Sequence, residues 1–392
     1  MGHALAFPLE AAQSPVESDR VLFVSDGEFA LDNGVSSYIR TLGSYVVSQG
    51  CEVEYLVGKT AIDEPNVLSF SSTFPIQANG SRTYMPLYTS NELIAEALDR
   101  FDPDAVHVQM PLVPSLSGKV IKHLSSKANL VGTFHAPLPR GWLYAINKLN
   151  ARLTKRGMQR FDHLFSVSEA AQKAAKELYG VDSEILPCPI DIEQANRIDN
   201  IEDKENDTVI TFLGRIVARK GLATLLDSVE LLGPEIQDKL QLNIVGDGVD
   251  RGAFERRVSK SGIKDITHFY GAVSDRRKYE LLASSDIVAC PSSGGESFGV
   301  VLVEAIATGK PVVVASNIGG YAEVLSGIPD ALVVKNDPQA LAARIKAIMD
   351  SPDLKQALFS EQQRAVRQFD TKHAIGPRLM QAYGLTRDQI DL

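Results

Sequence analysis

The apolar positions of this chain form short runs that alternate with longer amphipathic segments. The run Val21–Ser25 predicts a buried strand, the segment from Gly34 to Ser48 predicts a helix, and Glu52–Val57 predicts the next strand. Further strands of this half are predicted at residues 105–108, 129–134 and 164–167. Such alternation is typical of a parallel sheet with helices on both of its faces.

The alternation breaks near Leu186–Ile190, and the acidic, polar stretch Asp199–Asp207 follows. A stretch of this composition predicts a linker between two domains. The alternation then restarts, with strands predicted at residues 208–213, 240–245, 286–290 and 311–315, and a largely helical tail at 336–383. The chain is therefore predicted to be an α/β protein with two Rossmann-like domains and a cleft between them.

The predicted organisation has five parts. Residues 1–19 are expected to be a flexible leader, 20–190 the first Rossmann-like domain, 191–207 the linker, 208–372 the second Rossmann-like domain, and 373–392 a helix that packs back on the first domain. Ligands of open parallel sheets bind at the carboxyl ends of the strands. Candidate chemistry is therefore sought directly after strands.

Composition narrows the functions that fit. The 392 residues are 44% hydrophobic, which is enough apolar material for two cores, and the net charge of -9 argues against general nucleic-acid binding. The N-terminus lacks the pattern of a secretory signal, and no apolar run reaches the roughly 18 residues of a membrane span. The three cysteines lack metal-ligand spacing, and each is expected to fill an apolar site in a reducing cytoplasm.

A glycine-rich segment follows the predicted strand that ends at Cys290 and leads into a predicted helix. Glycines allow a ligand to approach the backbone closely, and the amides at a helix N-terminus suit a phosphate. Glu304 lies about 9 Å along this helix, where its carboxylate is placed to accept both hydroxyls of a ribose. Glu296 precedes the helix and is placed to meet a sugar beyond the phosphates. The alternative is a glycine-rich turn with a capping glutamate and a solvated one.

A basic turn, Gly214–Gly221, follows the first strand of the second domain. Its residues Arg215 and Lys220 are expected to face the same cleft, where two fixed cations neutralise a diphosphate and stabilise the charge that develops as it leaves. The alternative is a basic turn that only caps the sheet. Because both elements follow strands of one sheet, a shared phosphate site is favoured.

These segments resemble those of the family 4 glycosyltransferases, which have the GT-B fold of two Rossmann-like domains. Glu296 and Glu304 match the E-x7-E pair of that family, Arg215 and Lys220 match its donor-phosphate pair, and Gly309–Gly320 continues the match. The resemblance covers nearly the whole chain after the leader. It implies a retaining, metal-independent hexosyltransferase that uses a nucleotide sugar and no cofactor.

The resemblance also implies a set of site residues. Those expected at the reaction centre are His135, Arg215, Lys220 and Glu296. Those expected to contact the donor are Gly34, Gly214, Gly246, Val273, Ser297, Phe298, Gly299, Val300 and Glu304. Those expected on the acceptor side are Asn79 and Arg140. A lone histidine after a strand is ordinarily a core residue, so the role of His135 beside the transferred sugar depends on the family pattern.

Within the family, the chain is most similar to bacterial phosphatidylinositol mannosyltransferases. The stretches that carry this similarity are Gly294–Ala305, Asn79–Ser81, Pro114–Ser117 and Thr133–His135. The similarity favours GDP-mannose as donor, a phosphatidylinositol-type lipid as acceptor, and a place in glycolipid biosynthesis. The alternatives are a family member that uses a UDP-sugar and a glycan or another lipid, a sugar-nucleotide epimerase, and a non-catalytic nucleotide-sugar-binding protein.

Three departures from those mannosyltransferases bear on the turn after the first strand and on the acceptor. Asn33 stands where a glycine is expected, and its tolerance of left-handed backbone preserves the turn. Met110 stands where those enzymes carry an acid. The helix predicted at Asn91–Arg100 is mildly acidic, whereas the corresponding helix of those enzymes is basic and contacts membranes.

A second feature favours a membrane surface as a partner. Between Asp104 and Asp162 the chain has no acidic residue and nine lysines and arginines. A helix predicted from Trp142 to Met158 has an apolar face beside a basic one, which is typical of a peripheral element on anionic lipid. The alternative is a helix packed on the first sheet with solvated charges outside. The expected location is the cytoplasm or the inner face of the cell membrane.

Overall fold

A computed structural model gives the fold of most of the chain. It describes residues 18–29, 34–60, 64–69, 71–78, 81–111, 116–137, 144, 148, 151, 157–197 and 208–385. Most of the predicted leader and residues 198–207 of the predicted linker therefore lie outside the described residues. Within the described ranges, no helix is both long and apolar enough to span a membrane.

The first half of the chain forms a seven-stranded parallel sheet and a separate two-stranded hairpin. The strands are β1 (Arg20–Phe29), β2 (Glu52–Thr60), β3 (Val67–Leu68), β4 (Ser71–Ala78), β5 (Ser81–Thr89), β6 (Ala105–Gln109), β7 (Asn129–Phe134), β8 (His163–Ser166) and β9 (Glu184–Ile185). The sheet order is β3-β2-β1-β6-β7-β8-β9, and β4 pairs with β5 antiparallel. The helices are α1 (Gly34–Ser48), α2 (Asn91–Phe101), α3 (Leu116–His123) and α4 (Glu169–Tyr179).

Strand β1 shows why this half reads as apolar runs. Its residues alternate between the two faces of the sheet, and both faces are covered. Leu22 and Val24 are buried in a cluster with residues of α2 and α3, whereas Val21 and Phe23 are buried with residues of α1. Because both faces are buried, the strand is a continuous apolar run.

The second half forms a six-stranded parallel sheet in the order β12-β11-β10-β13-β14-β15. Its strands are β10 (Thr208–Leu213), β11 (Leu240–Val245), β12 (Thr267–Gly271), β13 (Ile287–Cys290), β14 (Val312–Ser316) and β15 (Leu332–Val333). The helices of this part are α5 (Ile192–Asn196), α6 (Leu222–Leu231), α7 (Pro234–Gln237), α8 (Arg251–Val258), α9 (Asp275–Ala283), α10 (Val300–Ala307), α11 (Gly319–Val324), α12 (Pro338–Asp350) and α13 (Pro352–Val366). Two helix-covered parallel sheets confirm the predicted α/β class.

The last described helix, α14 (Gly376–Tyr383), returns to the first sheet. Tyr383 is completely buried there, and the side-chain amide of Asn129 on β7 donates a hydrogen bond of 2.7 Å to the Tyr383 carbonyl oxygen. Leu379 of the same helix is also completely buried. Helix α14 therefore contributes to the core of the first half.

Candidate functional site

The loop between β13 and α10 is shaped by glycines at the carboxyl end of the second sheet. Gly294, Gly295 and Gly299 have φ angles of 153°, 74° and 121°, which residues with a Cβ rarely adopt. Gly299 directly precedes α10, and a Cβ added there would lie 2.7 Å from the ring of Tyr321. The loop thus presents the N-terminus of α10 at the edge of the sheet where ligands bind.

Glu296 in this loop is held by two cations and a hydroxyl. Its Oε1 lies 2.6 Å from Nη1 of Arg219 and 2.9 Å from Nζ of Lys220, and it accepts a hydrogen bond of 3.0 Å from Ser292. Burial raises the pKa of Glu296, but Lys220 and Arg219 outweigh burial and hold the pKa below its usual value. Glu296 is therefore an ionised carboxylate. The Ser292 hydroxyl that contacts it also lies 3.2 Å from the Tyr321 hydroxyl.

The basic turn after β10 supplies these cations. Residues Ala218–Lys220 form a single 3₁₀ turn, which directs Arg219 and Lys220 toward Glu296. Arg215, the arginine predicted from the sequence, lies earlier in the segment Gly214–Gly221 and is exposed. Sequence reasoning did not single out Arg219 for the site, although its position directly before Lys220 was a usable signal.

Glu304 lies on α10 and is only 6% exposed, so the alternative of a solvated glutamate is wrong. Its Oε1 lies 2.8 Å from Nζ of Lys278 on α9, and the same Nζ lies 3.0 Å from Asp275. Burial lowers the pKa of Lys278, but Glu304 leads the groups that outweigh burial and raise this pKa. Lys278 is therefore held in its charged form beside Glu304. The E-x7-E motif could not predict Lys278 as the partner of Glu304, because Lys278 lies on another helix.

Other residues that were predicted to contact the sugar donor form backbone hydrogen bonds between the ends of neighbouring strands. The amide of Gly214 donates to the Val245 carbonyl oxygen at 3.0 Å, and the amide of Gly246 donates to the Gly271 carbonyl oxygen at 2.8 Å. A Cβ added at Gly246, whose φ is 127°, would collide with the Gly214 carbonyl oxygen. Val273, two residues beyond Gly271, is half-buried at this edge.

His135 follows β7 in the first half, and its ring is oriented by Gln109. The Gln109 amide nitrogen lies 3.5 Å from the His107 carbonyl oxygen, which turns Oε1 toward Nε2 of His135 at 2.7 Å. An amide oxygen only accepts, so Nε2 of His135 carries the proton and Nδ1 is the acceptor nitrogen of the ring. Burial lowers the pKa of His135 to about 3. The residue is partly open to solvent, and the direction of the shift keeps it neutral at neutral pH.

Two further side chains surround His135. The ring of Tyr38, on α1, meets it edge-on at 4.7 Å between centroids. The sulfur of Met110, whose residue has a φ of 51°, accepts a hydrogen bond of 3.1 Å from the His135 amide. Gly34 forms the start of α1, and a Cβ added there would have no neighbour within 4 Å.

The two halves meet beside the loop of Glu296. The hydroxyls of Ser168 and Ser297 lie 3.3 Å apart, and the amide of Glu169 donates to Oε2 of Glu323 at 2.9 Å. Phe298 is buried with its ring edge-on to Phe369, and Val300, the first residue of α10, is half-buried. Ser297, which was predicted to contact the donor, therefore lies where the two halves meet, and Phe298 and Val300 lie beside it in the chain.

Several predictions fall on residues that are not described. Asn79 and Arg140 lie outside the described residues, as does most of the helix predicted from Trp142 to Met158. Among the described residues, no group of three or more His, Cys, Asp or Glu side chains could hold a metal ion. The three cysteines are buried and unpaired with one another.

Comparisons with known proteins follow the same division of the chain. A family model described as Glycosyltransferase Family 4 matches residues 32–194, and one described as Glycosyl transferases group 1 matches residues 194–365. The phosphatidyl-myo-inositol mannosyltransferase of Mycobacterium leprae is 27% identical over 93% of this chain and 96% of its own length.

Solved structures show the same architecture. A glycosyltransferase from Rickettsia africae overlaps 93% of this chain and 98% of its own, with a TM-score of 0.71 at 18% identity. Anabaena HepE, crystallised with UDP, overlaps 94% of this chain and 100% of its own, with a TM-score of 0.69 at 18% identity. These overlaps confirm the predicted GT-B arrangement of two Rossmann-like domains.

Proposed function

We propose that this chain, which belongs to family 4 of the glycosyltransferases, moves a hexosyl group from a nucleotide sugar to an acceptor hydroxyl with retention of configuration. Mannose from GDP-mannose is the favoured group, and a phosphatidylinositol-type lipid is the favoured acceptor. The similarity to the mannosyltransferase of Mycobacterium leprae over nearly both whole chains supports these choices. The observation that carries the reaction type is the cluster of Glu296, Lys220 and Arg219 in front of α10.

The diphosphate of the donor binds at the N-terminus of α10. The amides there and the cations Lys220, Arg219 and Arg215 provide the positive charge that a diphosphate requires. As the bond between the anomeric carbon and the phosphate oxygen breaks, negative charge develops on the leaving group. Fixed cations stabilise that charge without reorganising, which lowers the barrier to departure.

Glu304 binds the ribose. Its two carboxyl oxygens, one of them 2.8 Å from Nζ of Lys278, accept hydrogen bonds from both ribose hydroxyls. Val273, beyond the end of β12, lies near the base. These contacts bind the nucleotide in the same way before and during transfer, so they contribute affinity more than rate.

The transferred sugar lies between Glu296 and His135. Glu296 accepts hydrogen bonds from its hydroxyls, and neutral His135 offers Nδ1 as an acceptor. The acceptor hydroxyl attacks the anomeric carbon from the face that the diphosphate leaves, and its proton passes to the departing phosphate oxygen. No covalent enzyme intermediate and no metal ion are required in this course. Asn79 and Arg140 are proposed on the acceptor side.

A panel of GDP- and UDP-sugars tests this function. Thermal shifts identify the donor, and transfer is then measured to phosphatidylinositol in anionic and neutral vesicles and to soluble glycans, with and without EDTA. We expect transfer from GDP-mannose to the lipid, unaffected by EDTA, with the protein bound peripherally to anionic vesicles. Release of the nucleotide with no transferred sugar, or donor conversion without acceptor, would favour a hydrolase or an epimerase.

The role of Glu296 has its own test. Glu296→Gln keeps the size of the side chain but removes its charge, and we expect at least a hundredfold lower transfer rate at saturating donor. Glu323→Gln is the matched control, because Glu323 contacts the Glu169 amide at the domain boundary instead of the two cations. An unchanged rate in Glu296→Gln would contradict the assignment.

A further inference from the structure

A chain of buried polar side chains joins the C-terminal helix to the surroundings of His135. The Tyr383 hydroxyl on α14 lies 2.8 Å from Nδ1 of His107 on β6. Nε2 of His107 lies 2.7 Å from Oγ1 of Thr133 on β7, and that oxygen lies 3.5 Å from the Tyr38 hydroxyl on α1. Tyr383, His107 and Thr133 are completely buried, and Tyr38 is 3% exposed.

In this series of hydrogen bonds, each group donates to the next, from Tyr383 through His107 and Thr133 toward Tyr38. In the described part of the protein, Nδ1 of His107 is the hydrogen-bond partner of the Tyr383 hydroxyl, so the phenol donates its proton there. Burial lowers the pKa of His107 to about 3, and a neutral imidazole that accepts at Nδ1 donates from Nε2. Thr133 therefore accepts from His107 and is left with its own proton to donate toward Tyr38.

Tyr38, the last member of this hydrogen-bonded series, contacts the candidate catalytic histidine, His135. Tyr38 meets the ring of His135 edge-on at 4.7 Å, and Gln109 holds Nε2 of the same ring at 2.7 Å. Gln109 thus sets which ring nitrogen of His135 carries the proton, and Tyr38 limits the tilt of the ring. A change in the Tyr38 position would move His135 without touching the donor site of the second half.

We propose that Tyr383 is a positioning residue for His135, acting through His107, Thr133 and Tyr38. Helix α14 then helps to position His135, which faces the transferred sugar. Tyr383 and His107 are 276 residues apart in the chain, so the contact forms only when the last helix has docked. This proposal rests on the proposed function, in which His135 bonds the transferred sugar.

Tyr383→Phe removes only the hydroxyl that starts the chain. We expect kcat for transfer to fall roughly tenfold, because small displacements of a positioning group reduce rate strongly. The donor KM should stay within about twofold, since Lys220, Glu296 and Glu304 are unaffected. In spectra of histidine-labelled protein, the His107 and His135 ring signals should both shift. Thr133→Val should reproduce these effects, and Thr133→Ser, which keeps the hydroxyl, should restore kcat.

Asn129→Ala is the matched control, because it removes a separate hydrogen bond, from β7 to the Tyr383 carbonyl oxygen, that is not one of those joining Tyr383 to Tyr38. We expect it to lower the melting temperature and leave kcat and the His135 signals unchanged. Equal loss of kcat in Asn129→Ala and Tyr383→Phe would overturn the proposal, as would unchanged His135 signals in both Tyr383→Phe and Thr133→Val. If the wild-type protein transfers no sugar, the proposed function fails, and the His135 signals still decide whether Tyr383 positions this ring.

Discussion

We expect the burial of His107 to lower the free energy of unfolding measurably as the pH falls. The side chain is completely buried between Tyr383 and Thr133, and both ring nitrogens are within hydrogen-bond distance of these residues. Burial, assisted by nearby His135, lowers the pKa of His107 from 6.5 to about 3. A proton added to the folded ring would be a buried charge and would meet the Tyr383 proton at Nδ1.

The size of the effect follows from the two pKa values. Between about pH 6.5 and about pH 3 the unfolded chain binds a proton at His107 that the folded chain does not, so stability falls as the pH drops. Each pH unit in this window contributes about 1.4 kcal/mol. Lowering the pH from about 7.5 to about 5 should therefore remove about 2 kcal/mol of unfolding free energy through His107 alone.

His107→Gln isolates this contribution, since glutamine fills similar space and does not titrate. Urea unfolding followed by far-UV circular dichroism, at several pH values, should show the wild type losing about 2 kcal/mol more than the variant over that range. His123→Gln is the control, because His123 is exposed on α3, and it should follow the wild type. If His107→Gln loses as much stability in acid as the wild type, the reasoning about burial is wrong.

Two further predictions concern the second half. Glu304→Gln should weaken binding of the nucleoside diphosphate roughly tenfold, because an amide group replaces one of the two oxygens that accept from the ribose hydroxyls and Lys278 loses its buried partner. Calorimetry that finds unchanged affinity would refute the ribose role. Gly320→Ala should destabilise the protein by about 1–3 kcal/mol, because its Cβ would lie 2.5 Å from the Phe298 backbone. Gly262→Ala, where a Cβ meets nothing within 4 Å, should be close to neutral in the same urea titration.

The sequence predicted the strands of the second sheet well where their apolar runs are continuous. The strands predicted at 208–213 and 240–245 have the observed bounds, since both are interior strands buried on both faces. Strand β2 ends at Thr60 instead of Val57. The hairpin of β4 and β5 and the edge strand β12 were not predicted, because prolines and mixed polar residues remove the apolar signal there.

The candidate site divides in the same way. Glu296 and Glu304 were found because glycine turns and helix starts are local in sequence. Their cations were only partly found: Arg219 and Lys220 are 77 and 76 residues from Glu296, and Lys278 is 26 residues from Glu304. Pairing between such residues depends on the order of strands in the sheet.

The sequence by itself determined the α/β class, the two sheets and the family, because these follow from apolar periodicity and from short motifs. Only the tertiary structure decided which cations neutralise Glu296 and Glu304, and that a neutral His107 joins Tyr383 to Thr133. Those contacts form between distant parts of the chain after water is excluded. Their charges and proton positions are set by burial and by partners, neither of which a local pattern contains.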